Sequence, residues 1–120
     1  MHLRIHWLLA ALIATAVLLA AHLYALDTHL YFEYRWLDTP MHIWGGFAIG
    51  LFAIGLLHDR RALAYGATIL GVAIGWEIFE YIFGISTGQP DYWFDTIHDI
   101  VNDCIGGAVA YALARKTLWR

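Results

Sequence analysis

Glu77-x-x-Glu80 sets two carboxylates one helical turn apart, and Asp95-x-x-His98 does the same for a carboxylate and an imidazole. Asp99, Asn102 and Asp103 continue that second face, and Asp38-x-x-x-His42 adds another acid–imidazole pair. Mixed imidazole and carboxylate donors suit Zn, Mn or Fe better than Cu(I). Helical bundles build such centres from a Glu-x-x-His segment and glutamates on facing helices. The candidate metal ligands are His42, Glu77, Glu80, Asp95, His98, Asp99 and Asp103, with Asp38 and Asn102 as further pocket residues. If a metal activates water, a glutamate is the expected general base, and Glu80 is the candidate. Two other readings use the same residues: a polar pocket that functions without metal, and a purely structural hydrogen-bonded network.

These residues fall in a chain of 120 residues that is 61% hydrophobic and only 14% charged. Soluble domains run to roughly 45–50% apolar and about 25% charged, so an integral membrane protein of one domain is expected. The apolar runs predict four transmembrane helices, over about 7–26, 41–57, 62–83 and 95–114, forming an all-α bundle. The first run also admits a signal-peptide reading. Asp27 to Pro40 is a polar and aromatic connection, with Tyr31, Phe32, Tyr34 and Trp36 suited to the headgroup layer. Pro40 suits a first helical turn, with Asp38 or Thr39 as N-cap.

Arg4, Arg60, Arg61, Arg115, Lys116 and Arg120 fall on one side of this arrangement, and Arg35 alone on the other. The positive-inside rule then puts both termini in the cytoplasm and the acidic/His residues toward the outer face. Acids inside a membrane cost about 2.5–3.5 kcal/mol each on insertion scales, and so mark function by default. Several close together cannot all stay ionised without a proton or a cation.

Gly46-x-x-x-Gly50 and Gly71-x-x-x-Gly75 permit close helix approach. They are read first as packing surfaces within the chain and second as a seam for a homo-oligomer or a partner subunit. Trp36, Trp44, Trp76, Trp93 and Trp119 are expected at the interfaces, and His2, His6, His29 and His58 in solvent. His22 reads as an interfacial residue. The small net charge of -3, with basic residues at span ends, argues against nucleic acid. Cys104 is the only cysteine, which excludes an intrachain disulfide and a thiolate metal site. There is no phosphate-binding glycine loop and no Gly-x-Ser-x-Gly, and Ser86 is the only serine.

Taken in order, Asp38-x-x-x-His42-x-x-x-Gly46, Glu77 with Glu80, and Asp95-Thr96-x-x-Asp99-x-x-x-Asp103-x-x-Gly106 resemble small bacterial membrane proteins of the YjdF type and, more distantly, the VanZ type. The resemblance covers about residues 38–112. It implies a multi-pass protein of the bacterial cytoplasmic membrane with a shared polar site, and no particular reaction. The Arg that VanZ-like proteins tend to carry before the last helix is absent, Gly88-Gln89-Pro90-Asp91 standing there, and Asp103 replaces their Asn. The functional expectation is an outward-facing acidic/His pocket that binds a divalent metal and acts on a lipid or envelope-linked substrate. The alternatives are a non-catalytic accessory or assembly subunit and a proton-linked carrier.

Overall fold

The computed structural model describes residues 4–57, 61–85 and 87–117. His2, His58, Asp59, Arg60, Ser86, Trp119 and Arg120 lie outside them. The described chain is all-α. Helix α1 spans Ile5–Asp27, a short α2 spans Leu30–Glu33, and a single 3-10 turn covers Arg35–Leu37. Helices α3 (Asp38–Leu56), α4 (Ala62–Ile82) and α5 (Tyr92–Thr117) complete it. Three segments are long and apolar enough to cross a membrane: Ile5–Asp27, Arg35–Leu56 and Ala62–Ile82.

The second of these starts earlier than the sequence suggests. The 3-10 turn runs directly into α3, so Leu37 is already in helical conformation where an Asp38 or Thr39 cap was expected. Asp38 thereby joins the first turn of α3, one turn above His42. At the far end of α4, Gly84 takes φ +67° and lets the Gly84 and Ile85 amides bond back to Tyr81 and Glu80. Glycine adopts this left-handed geometry at no steric cost, and it ends the helix sharply.

Helix α3 is the hub. It packs most extensively on α5, then on α1, and also meets α4, while α1 and α4 share no substantial interface. Its contact with α5 is made backbone to backbone. A Cβ at Gly46 would overlap the Asp103 carbonyl, and one at Gly106 would overlap the Ile43 carbonyl. Lower down, Gly50 faces Ala110 and the Tyr65 hydroxyl, which donates to the Gly107 carbonyl at 2.7 Å. Ala11 and Ala14 of α1 and Ala48 and Ala53 of α3 form a small-residue core with Leu51 and Ile54. The Trp44 indole N–H donates to the Ala14 carbonyl at 2.8 Å and ties α3 to α1. At the opposite end, the Arg4 guanidinium and amide donate to the Ile54 and Gly55 carbonyls. The outward faces are apolar. On α5, Ile97, Val101, Ile105, Val109 and Leu113 are all exposed, while Asp99, Asn102, Asp103 and Ala110 are buried.

Candidate metal centre

The α3–α5 crossing decides the geometry of the site. Gly46 and Gly106 bring the two backbones together one turn from His42 and Asp103 respectively, so the side chains just above the crossing are pressed against each other. His42 of α3 lies among three carboxylates. Its Nδ1 is 3.3 Å from Asp103 Oδ1, its Nε2 is 3.5 Å from Asp99 Oδ2, and its Nε2 is 3.7 Å from Asp38 Oδ1. Asp38 reaches it from one turn back on the same helix; Asp99 and Asp103 reach it from α5. The Asp99 and Asp103 side chains are buried, and Asp38 opens toward the surface.

Glu77 on α4 is only 5% exposed, and its carboxylate has at most the Thr96 hydroxyl as a donor among the described residues. Asp99 Oδ1 is buried with no donor among them. Glu77 lies within electrostatic reach of His42, Asp99 and Asp103, with Thr96 of α5 beside it. A buried carboxylate without donors is costly, and it demands a proton or a cation nearby.

The remaining candidates sit around this centre. Glu80 accepts from the Trp76 indole at 3.1 Å and lines a cleft between α1, α3 and α4. Asp95 is half-buried at the start of α5. His98 is exposed, bonds the Asn102 amide at 3.1 Å and stacks on Phe94, so its ring is turned away from His42. Asn102 is buried and serves His98. Of the candidates, Asp38, His42 and Asp99 each offer a ligand atom, all within 4.8 Å of one another. Donors 2.0–2.2 Å from a zinc ion stand roughly 3.3–3.6 Å apart in tetrahedral geometry. The 3.5 Å from His42 Nε2 to Asp99 falls in that range, and the 3.7 Å to Asp38 lies just above it.

Asp103 has a different part. It faces Nδ1, the other ring nitrogen. An Nδ1–H donated to Asp103 leaves the Nε2 lone pair pointing at Asp38 and Asp99. That is the carboxylate–imidazole arrangement that orients metal-bound histidines.

The cleft's polar end also holds a pair that spacing did not single out. His22 Nδ1 lies 2.7 Å from the Tyr31 hydroxyl, joining the end of α1 to α2. Burial and the nearby Asp38 carboxylate push the Tyr31 phenol up from its ordinary pKa. Above it, Arg35 and Asp91 meet at 3.5 Å and link the two connections over the site. No family model matches the chain, and neither do curated proteins or solved structures.

Proposed function

We propose that the chain is a four-span protein of the bacterial cytoplasmic membrane that binds one divalent metal ion at Asp38, His42 and Asp99. The observation that supports this most is the gathering of Asp38, Asp99 and Asp103 on one histidine, with Asp99 Oδ1 buried and without a donor among the described residues. A divalent cation compensates this concentration of carboxylates. Glu77 adds a further negative charge nearby, and Zn, Mn and Fe fit the donor types. With Glu80 at the cleft side of the site, a metal held there would acidify a bound water, and Glu80 would take that water's proton.

The fourth span in this reading is α5. Its mean hydropathy is lowered by polar residues that face α3, while its outward stripe from Ile97 to Leu113 is apolar. Such a helix suits lipid on one side and a polar core on the other. Arg4, Arg61, Arg115 and Lys116 mark the cytoplasmic end, which puts the metal centre near the outer face.

A metal-free network is the second reading, favoured by the contacts of His42 with all three aspartates. Metal titration followed by thermal denaturation separates the two. In the metal reading Mn or Zn raises the Tm of the wild-type protein and leaves Asp99→Asn unmoved. In the network reading neither protein responds, and the amide is tolerated or stabilising.

A further inference from the structure

The cleft beside the metal centre has a volume of about 450 Å³, within the roughly 300–1,000 Å³ of small-molecule sites. It exists because α1 and α4 flank α3 without packing on each other. Its floor is made of small residues, Gly45 and Ala48, and its walls include Leu18, Phe52 and the half-exposed Val72. From His42 to Phe52 along α3 it runs about 15 Å at 1.5 Å per residue. A slot of that length and volume suits one extended hydrocarbon chain.

The polar end is rich in acceptors and poor in cations. Asp38, Glu80 and Asp103 line it with His22, His42 and Tyr31, and neither Lys nor Arg does. A phosphate or carboxylate head would meet three carboxylates. A fixed ammonium head would compete with the metal for the same oxygens. A hydroxylated, uncharged head escapes both conflicts: its hydroxyls donate to the carboxylates, and an ester or hydroxyl oxygen can reach the metal. Lipid tails are as apolar as the cleft walls, so choice among membrane lipids rests on this head end.

We infer that the cleft binds a single-chain amphiphile with an uncharged, hydroxyl-bearing head, its chain lying between α1 and α4. For the head's lack of charge and its contact with the metal, this rests on the metal reading above. The chain's place in the cleft does not.

The test uses the full chain in phosphatidylcholine nanodiscs, with a monoacylglycerol carrying a diazirine in its chain as photoprobe. Saturable labelling should map to α1 and α4 residues beside Thr15 and Val72. Monopalmitin should displace the probe at least about tenfold more effectively than hexadecyl phosphate or hexadecylamine. Thr15→Phe and Val72→Phe should each abolish labelling by filling the cleft, with metal content unchanged. Both positions are incompletely buried, which spares the core. Labelling spread evenly over the outer surface, labelling that survives both variants, or preferential displacement by the phosphate or the amine would overturn the inference. Cleft labelling that persists in protein that binds no metal would sink the metal reading and leave the chain site standing. Metal binding with no cleft labelling would do the reverse.

Discussion

His42 joins two carboxylates at one ring nitrogen and one at the other, and this division of labour makes distinct predictions for its neighbours. In the proposed metal site Asp99 and Asp38 would be the ligands, and Asp103 would position the ring. Asp99→Asn should therefore abolish metal-dependent stabilisation, which is worth about 2.7 kcal/mol when metal is present at about 100-fold its Kd. Asp103→Asn keeps an acceptor for Nδ1–H and should weaken metal affinity only about 10–100-fold, the usual effect of a supporting partner. Equal losses in the two variants, read by metal titration, would contradict the assignment of roles. Acidification should weaken binding in the wild type, because protons compete with the metal for carboxylates and imidazole alike. Metal affinity that holds steady from neutral to acid pH would argue against these donors.

The helices differ sharply in what their glycines do. Gly106 lies where a Cβ strikes the Ile43 carbonyl, so Gly106→Ala must push α5 off α3. Overpacking of this kind costs about 1–3 kcal/mol, and the shift should also separate Asp103 from His42 and lower metal affinity. Gly71 and Gly75 on α4 meet nothing within 4 Å. Alanine there should stabilise the helix by about 0.5–1 kcal/mol. A loss of stability at Gly71 or Gly75 instead would show that a second chain packs on that face. The two small-xxx-small patterns look alike in sequence, and only the packing tells them apart.

The same limit governed α5. Its acids at positions 95, 99 and 103 were legible as one helical face. The separate fate of His98 was not, since Asp95-x-x-His98 is equally compatible with a ring turned inward. The early start of α3 was also hidden, because Asp38 and Thr39 are good caps and nothing local forbids that use. It took the 3-10 turn at Arg35–Leu37 to carry Asp38 into the helix and onto His42. Membrane placement of α5 can be checked by a cysteine at Gly88 in a Cys104→Ser background. An impermeant thiol reagent should label it from the outside of intact cells. Labelling only after permeabilisation would reverse the orientation.

At the scale of the whole molecule, apolar side chains cover the outside and fill much of the interior, and a polar core of carboxylates and imidazole sits at the α3–α5 crossing. Such a core holds together only if its charges are compensated, and a bound divalent ion is the compensation proposed here. The most direct measurement is elemental analysis of protein purified without chelator and then equilibrated with Zn, Mn or Fe. The expected result is about one ion per chain, consistent with a single centre of His and carboxylate donors, lost in His42→Ala and removed by chelator with a fall in Tm. Wild-type protein that carries no ion and takes up none from any of the three metals would contradict the account.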